Sequence, residues 1–301
     1  MTKTLIILLG PTGVGKTDLS IDIAAFLKTE IISCDSRQIF QEMNIGTAVP
    51  DQTTLEAIPH HFIQTHSIHD PYNARRFELD GLQKLDQLFK TYDSVLMTGG
   101  SMLYIDALVN GLDDLPNIDP DLRLSLMNRL ASEGLGPLLD QLQLLDPNYF
   151  AEVDRKNPKR IVHALEVCLT TGKPFSELRT NKIQDRPFKI IKIGLNCDRA
   201  ILHNRINDRV EKMFKDGLEA EAKRLYEFRD LNSLNTLGYR ELFDYFDRTI
   251  TLAQANEKIK ANTRKYARKQ LTWFRRDPEI TWFSPNQKEE ILSYLKLNLA
   301  L

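Results

Sequence analysis

The stretch GPTGVGKT, residues 10–17, follows directly on the apolar run Leu5–Leu9. It fits the pattern G-x-x-x-x-G-K-[ST], in which glycines let the backbone curl so that successive N–H groups point at a phosphate. A helix beginning near Lys16 would add its positive N-terminal end, and the Thr17 hydroxyl could bind Mg²⁺. The stretch therefore predicts a phosphate or diphosphate site, without naming the molecule that carries the phosphate. The predicted diphosphate-binding residues are Gly10, Pro11, Thr12, Gly13, Val14, Gly15, Lys16 and Thr17.

Strands and helices alternate through the first hundred residues. Apolar runs without polar alternation predict further buried strands at Glu30–Cys34, Ser94–Thr98 and Ile190–Leu195, and a last short strand is expected at Ile280–Phe283. Strands that are apolar on both sides belong to parallel sheets covered by helices on both faces. The predicted fold class is α/β: a parallel sheet core like that of P-loop NTPases, flanked by helices, with an inserted helical domain.

The insertion is predicted from a change of composition after Leu112. The turn-rich segment DDLPNIDPDLR leads into helices with leucine periodicity, and the segment TNKIQDRP marks a second boundary. We expect residues 114–186 to form the inserted helical domain. Residues 1–113 and 187–301 would then form the catalytic core.

The bulk composition excludes several classes of protein. The chain has 40 basic and 41 acidic residues, so no overall charge attracts it to nucleic acid and any such attraction must be local. Its three cysteines lack metal-ligand spacing, and no Cys or Glu stands at ligand spacing beside the histidines in PHHFIQTHSIHDP. These histidines are therefore expected to pack or form hydrogen bonds in a loop rather than to bind zinc. The first apolar run is too short for a signal peptide or a membrane span, which predicts a cytoplasmic protein.

A polar run follows the second predicted strand at Asp35, Ser36, Arg37 and Gln38. The carboxyl ends of strands are where open α/β sheets bind ligands. Asp35 could support a metal ion or act as a base, or Asp35 and Ser36 could simply cap a following helix. Ser101, after the Gly-Gly turn in TGGSMLY, repeats the pattern. Two polar strand ends besides the phosphate loop indicate a second substrate.

A basic segment near the end of the chain indicates RNA. Residues 258–276 contain eight basic residues and no acidic one, and Arg264 and Arg268 continue a row that starts at Lys260. A solvated helix face would repel itself without acids for i, i+4 pairs, so contact with RNA or other phosphates is favoured. A second basic patch, DRKNPKRIVHALEV, lies in the expected insertion.

These motifs together resemble the bacterial tRNA dimethylallyltransferases. The resemblance runs over nearly the whole chain, and the ordered set is far more specific than the phosphate loop alone. Val49 departs from the pattern, because the family usually has lysine there, so a phosphate contact from that position is not expected. The matching stretches are GPTGVGKT (10–17), DSRQIFQEMNIGTAVP (35–50), HHFI with HDP (60–71), GGSMLY (99–104), NPKRIVHALEVCLTTGKP (157–174), DRVEKMFKDGLEAE (208–221), LGYREL (237–242) and TRKYARKQLTWFRR (263–276).

The resemblance implies an enzyme that transfers a dimethylallyl group from dimethylallyl diphosphate to the exocyclic N6 amine of the adenosine 3′ of the anticodon. Its substrates would be tRNAs reading codons that begin with U, with Mg²⁺ as cofactor and diphosphate as product. A monomer that contacts no membrane is expected.

Residue by residue, the resemblance and the motifs give the following expectations. The catalytic residues would be Asp35, Thr17, Lys16 and Arg209, with Thr17 also holding Mg²⁺. The tRNA-binding residues would be Asp35, Ser36, Arg37, Gln38, Ser101, Arg123, Lys159, Arg160, Ile161, Val162, His163, Arg264 and Arg268.

Two other functions compete with this one on the residues alone. The phosphate loop and Asp35 also fit a P-loop kinase or NTPase that binds ATP and acts on RNA or a small molecule. The basic segment alone would fit a non-catalytic RNA-binding protein.

Overall fold

The computed structural model of the chain describes residues 2–180 and 182–299. The chain divides into two compact units, residues 1–109 with 185–301, here called the core unit, and residues 110–184, here called the helical unit. The use of residues 114–186 as a tRNA-binding domain stays a prediction. None of the helices within the two described ranges is long and apolar enough to cross a membrane.

The core unit is built on a parallel sheet of six strands: β1 (Thr4–Leu9), β2 (Ile31–Cys34), β3 (His60–His61), β4 (Ser94–Gly99), β5 (Lys189–Leu195) and β6 (Thr281–Phe283). Their order in the sheet is β3-β2-β4-β1-β5-β6. All six residues of the central strand are buried. Because neighbouring strands are parallel, the carboxyl ends of β1, β2 and β4 meet at one edge, where Gly99 pairs with both Leu9 and Cys34.

Helices separate these strands and form the whole of the helical unit. Before the helical unit the chain forms α1 (Lys16–Leu27), α2 (Gln52–Ala57), α3 (Ala74–Leu88) and α4 (Met102–Asn110). The helical unit contains α5 (Pro120–Glu133), α6 (Gly136–Leu145), α7 (Pro147–Glu152), α8 (Pro158–Thr171) and α9 (Phe175–Leu178). The remainder forms α10 (Arg199–Lys215), α11 (Leu218–Leu225), α12 (Tyr239–Phe246), α13 (Leu252–Phe274) and α14 (Lys288–Leu299), with short 3₁₀ helices at Tyr226–Phe228 and Asn232–Leu234.

The two faces of the sheet carry separate apolar cores. Successive side chains of β1 point to opposite faces, as the period of a strand requires. Leu5 and Ile7 pack in one core with Tyr239 of α12, while Ile6 and Leu8 pack in the other with Ile23 of α1. Coverage on both faces explains why every residue of β1 is apolar or buried, and it confirms the predicted fold class.

The helical unit has an apolar core of its own, centred on α8. Glu166 of α8 is fully buried in it, and its two carboxylate oxygens accept hydrogen bonds from the Arg123 guanidinium at 2.6 and 2.7 Å. A buried carboxylate is tolerated when it is paired and hydrogen-bonded in this way.

The predicted strands are all present, each with one end shifted by one residue. Glu30–Cys34 was predicted and the strand is Ile31–Cys34, while Ile280–Phe283 was predicted and the strand is Thr281–Phe283. Strand β3 was not predicted, because a pair of histidines gives no apolar run. It pairs in parallel with Ile31 and Ile32 at the sheet edge.

Candidate active site

The phosphate loop connects β1 to α1 and depends on glycine at two positions in particular. A Cβ on Gly10 would lie 2.7 Å from the carbonyl oxygen of Leu195, closer than real side chains come to backbone. Gly15 precedes the first residue of α1 with φ of 103°, a left-handed conformation that other residues rarely adopt. The loop therefore has the conformation that its sequence pattern predicts, ending at the positive N-terminus of α1.

Lys16, Arg209 and Asp35 lie in one electrostatic neighbourhood. The Lys16 ammonium donates hydrogen bonds to the carbonyl oxygens of Gly10, at 2.9 Å, and Pro11, at 3.0 Å. Burial and the neighbouring Arg209 guanidinium lower the pKa of Lys16 to about 8, against the opposing effect of Asp35. The fold thus brings together three of the four predicted catalytic side chains from β1–α1, the end of β2 and α10.

Asp35 shapes a turn with one carboxylate oxygen. Its Oδ1 accepts hydrogen bonds from the backbone N–H groups of Arg37, at 2.9 Å, and Gln38, at 3.4 Å. Residues 36–39 form turns rather than a helix, so the alternative that Asp35 caps a following helix is wrong. Within the described residues Oδ2 has no hydrogen-bond partner, which leaves that oxygen available to accept a proton.

The other predicted residues at this edge hold loops together. The Ser101 hydroxyl is buried and accepts a hydrogen bond from the Ser36 N–H at 2.8 Å, which ties the end of β4 to the end of β2. The Gln38 amide donates to the carbonyl oxygens of Thr47 and Ala48. Arg37 donates to the carbonyl oxygens of residues 232 and 233.

A cavity of about 1170 Å³ opens between these loops and the helices α10 and α13. Gly10, Pro11, Val14, Ser101 and Arg264 do not line it, and Arg264 instead donates a hydrogen bond to Asn207. The predicted residues that do line the cavity are Thr12, Gly13, Gly15, Lys16, Thr17, Asp35, Ser36, Arg37, Gln38, Arg209 and Arg268.

Helix α13 presents a smaller basic surface than its sequence suggests. The expectation that no acid pairs with its cations is wrong at Lys260, whose ammonium lies 2.6 Å from Glu211 of α10 and 2.7 Å from Glu257. Glu211 comes from another helix through tertiary packing, whereas Glu257 belongs to α13 itself and lies one residue before the basic segment. Lys265, Arg268 and Lys269 line the cavity and form no ion pair with any described residue.

In the helical unit the predicted tRNA contacts divide into three groups. Lys159 and Arg160 are exposed at the start of α8, with His163 half-buried beside Glu166. The side chains of Ile161 and Val162 are buried in the apolar core, which leaves only their backbone for contact with RNA, and their place among the tRNA-binding residues stays a prediction. Arg123 is held by Glu166, as described above.

The sequence did not reveal Gln270, which is 2% exposed and reaches the phosphate loop from α13. Its Oε1 accepts a hydrogen bond from the Thr12 N–H at 2.9 Å, and its Nε2 donates to the Gly100 carbonyl oxygen at 2.8 Å. The available signal was its place on the buried side of α13, together with Ala267 and Phe274. A polar residue in that row must have polar partners inside the fold.

The phosphate loop offers an oxygen ligand of the kind that Mg²⁺ prefers. In the part of the chain that the structure describes, no three His, Cys, Asp or Glu side chains come together as a metal site. The Thr17 hydroxyl, the predicted ligand, lines the cavity and offers an oxygen atom. Mg²⁺ is commonly held by one or two protein oxygens together with phosphates of the substrate.

Comparison with known proteins agrees with this arrangement. A sequence model of a family described as IPP transferase matches residues 38–277. The chain belongs to the IPP transferase family. This confirms the family inferred from the motifs.

Relatives of the same family match over almost their full length. The tRNA dimethylallyltransferase 1 of Bacteroides fragilis is 52% identical over 297 residues, which cover 99% of both chains. A tRNA dimethylallyltransferase 2 of Porphyromonas gingivalis is 54% identical over 94% of both chains.

Solved structures of the IPP transferase family share the fold. The tRNA isopentenylpyrophosphate transferase of Bacillus halodurans matches with a TM-score of 0.73 and 32% identity, over 99% of this chain and 97% of that one. A eukaryotic dimethylallyltransferase acting on tRNA matches with a TM-score of 0.75 and 25% identity, over 91% of this chain and 70% of that one.

Proposed function

We propose that this member of the IPP transferase family transfers a dimethylallyl group from dimethylallyl diphosphate to the N6 amine of the adenosine 3′ of the anticodon. Its substrates would be tRNAs that read codons beginning with U, and diphosphate is released. The observation that carries the proposal is a single cavity lined by a phosphate loop, a carboxylate with an open oxygen and unpaired cations.

The phosphate loop would hold the diphosphate as a leaving group. As the bond between C1 of the dimethylallyl group and the diphosphate oxygen breaks, negative charge grows on that oxygen. Lys16, Arg209 and the N-terminus of α1 supply positive charge on this side of the cavity. Mg²⁺ held with Thr17 would add further charge stabilisation.

Asp35 would act as the general base. An adenine amine is a poor nucleophile because its lone pair is delocalised into the ring. Removal of its proton as the new N6–C1 bond forms therefore lowers the barrier. Asp35 Oδ2 is the carboxylate oxygen that can accept this proton, because Oδ1 already accepts two backbone hydrogen bonds.

The acceptor adenosine must leave its stack to enter such a cavity, as in other enzymes that modify bases. Lys265, Arg268 and Lys269 would bind the RNA backbone around it, with Lys159 and Arg160 of the helical unit as further contacts. We expect the protein to act in the cytoplasm as a monomer. Light scattering of the purified chain measures its oligomeric state.

Prenyl transfer is tested by incubating the protein and Mg²⁺ with unmodified tRNA and either dimethylallyl diphosphate labelled in its carbon chain or γ-labelled ATP. We expect label in tRNA from the first donor only, and none when the acceptor adenosine is replaced by guanosine. Label moving only from ATP would instead establish a kinase. Binding of tRNA without movement of either label would support a non-catalytic RNA-binding protein.

The base is tested with Asp35→Asn, which keeps an oxygen to accept the Arg37 and Gln38 N–H groups and removes the proton acceptor. We expect turnover to fall by about 10²–10⁴-fold while the affinity for magnesium pyrophosphate is kept. Turnover near that of the wild type would remove Asp35 from this role.

The RNA surface is tested with Arg268→Ala and Lys269→Ala together, with Lys260→Ala as the matched control on the same helix. The double variant should weaken tRNA binding and lower its salt dependence, since each phosphate contact adds about one unit to the logarithmic salt slope. The control should leave the slope unchanged, because Lys260 is paired with Glu211 and Glu257. An unchanged slope in the double variant would place the RNA elsewhere.

A further inference from the structure

We propose that Gln270 is a positioning residue that sets the distance between the diphosphate loop and the Asp35 carboxylate. Its side-chain amide lies between two backbone segments and bonds to both. It accepts from the Thr12 N–H of the phosphate loop at 2.9 Å and donates to the Gly100 carbonyl oxygen after β4 at 2.8 Å.

The connection continues from Gly100 to Asp35 through two short steps. The next residue, Ser101, accepts a hydrogen bond from the Ser36 N–H at 2.8 Å. Ser36 directly follows Asp35, and Gly99 pairs with Cys34 in the sheet. Gln270 therefore links the loop that would hold the leaving group to the strand end that would hold the base.

Glutamine fits this place because one of its backbone partners, the Thr12 N–H, is a donor and the other, the Gly100 carbonyl oxygen, is an acceptor. An amide offers an acceptor and a donor at once, whereas a carboxylate has no donor and an ammonium no acceptor. The side chain is 2% exposed, so water cannot easily replace either bond. Gly100 leaves room for the amide, since a Cβ there would lie 2.3 Å from Gln270 Nε2.

The inference rests on the proposed function in taking the diphosphate and the N6 proton as the groups to be aligned. Transfer requires the reacting atoms to be held in line, and displacements of about 1 Å can reduce rates by about 10²-fold. Arg268 and Lys269 adjoin Gln270 on α13 and face the cavity. Loss of the link should therefore lower kcat while the KM for tRNA, set by those cations, changes little.

The test measures kcat for Gln270→Glu and Gln270→Met over a range of pH. Each value is divided by the kcat of the wild type at the same pH. A protonated carboxyl group keeps an acceptor for Thr12 and an O–H donor for Gly100, and burial favours that neutral form. We expect Gln270→Glu to have a kcat near the wild type at low pH and to lose about tenfold per pH unit once the group ionises. Gln270→Met should show a loss of roughly tenfold to hundredfold that does not vary with pH.

If the ratio of variant to wild-type kcat is the same for both variants and does not change with pH, Gln270 only fills space. If Gln270→Met keeps the kcat of the wild type, neither hydrogen bond matters. Either result overturns the proposal. Thermal unfolding and the KM for tRNA, measured for each variant, separate a folding defect from a loss of alignment.

Hydrogen exchange at the Thr12 amide tests the link without relying on catalysis. The amide should be protected in the wild type, exposed in Gln270→Met, and protected only at low pH in Gln270→Glu. Equal exchange in all three overturns the inference whether or not the protein transfers a prenyl group. Absence of prenyl transfer by the wild type, with the expected exchange pattern, would instead overturn the proposed function alone.

Gly100→Ala provides a second route to the same loss, because its Cβ would displace the Gln270 amide. We expect it to reproduce the pH-independent loss of kcat of Gln270→Met. Gly136→Ala is the matched control: a Cβ at that position of the helical unit meets nothing within 4 Å. Wild-type kcat in Gly100→Ala would contradict the proposal.

Discussion

The phosphate loop, residues 10–15, and the loop at residues 44–48 line the same cavity but are held in place differently. The first takes its conformation from its glycines and from the hydrogen bonds of Lys16 to Gly10 and Pro11. Distant side chains add one hydrogen bond each at Thr12, from Gln270, and at Val14, from Arg205. The second is held by side chains far away in the sequence. The comparison teaches that a loop can be recognised from a short motif when the residues that set its backbone conformation lie within the motif, even if distant side chains add further contacts.

Glu221 of α11 is the main support of the second loop, and it is 2% exposed. Its carboxylate accepts three backbone N–H groups, from Asn44 at 3.2 Å, Ile45 at 2.8 Å and Gly46 at 2.9 Å. The Tyr239 hydroxyl of α12 donates a fourth hydrogen bond at 2.7 Å. One buried carboxylate thus holds the loop at 44–48 in place, whereas the phosphate loop takes its conformation from residues within its own motif.

Of the substitutions that test this comparison, Glu221→Ala should have the largest effect on stability. Four donors would lose their acceptor in a place that water does not reach, so we expect the free energy of unfolding to fall by about 3–5 kcal/mol. Urea denaturation measures it, and Glu219→Ala, on the same turn of α11, is the control. A loss below about 1 kcal/mol would show that the loop at 44–48 supports itself as the phosphate loop does.

The features predicted from the sequence are those in which neighbouring residues carry the signal. Strand β1 was predicted because both faces of the sheet are covered and every side chain is apolar or buried. The phosphate loop was predicted because its glycines, lysine and threonine act within eight residues. Asp35 was selected because a polar residue directly follows a buried strand.

The features that the sequence did not reveal depend on distant partners. In the sequence Gln270 and Glu221 look like ordinary polar residues of charged helices. Only the fold shows that they form hydrogen bonds with backbone groups of the site. Lys260 was taken as an unpaired cation partly for the same reason, because Glu211 lies on another helix; its second partner, Glu257, lies just before the segment that was considered. Local patterns determine elements, whereas tertiary packing determines which polar side chains become internal supports.

Gly46→Ala should disturb the second loop without removing a hydrogen bond. A Cβ there would lie 2.6 Å from ring carbons of Tyr239, which is fully buried and cannot move away. We expect a loss of about 1–3 kcal/mol in the free energy of unfolding, typical of overpacking. Gly136→Ala is the control, and an unchanged stability of Gly46→Ala would mean that the loop shifts freely.

The affinity of the phosphate loop for diphosphate should depend on pH through Lys16. Its pKa is lowered to about 8 by burial and Arg209, so the ammonium is charged below that pH and loses its charge above it. Binding of magnesium pyrophosphate should therefore be about tenfold weaker at about pH 9 than at about pH 7. Calorimetry measures this, with Lys16→Met as the control that should lack the dependence. A wild-type affinity that stays constant over this range would contradict the role of Lys16.

Tyr239→Phe should have the smallest effect and the most selective one. Glu221 keeps its three backbone donors and loses only the phenol, so we expect a loss of about 1 kcal/mol in the free energy of unfolding. Burial and the neighbouring Glu221 raise the pKa of Tyr239, so the hydroxyl stays protonated and the difference should be the same from about pH 6 to about pH 9. Affinity for magnesium pyrophosphate should be unchanged, because the phosphate loop is held by other contacts. A drop in that affinity would show that the two loops are coupled through the cavity rather than held separately.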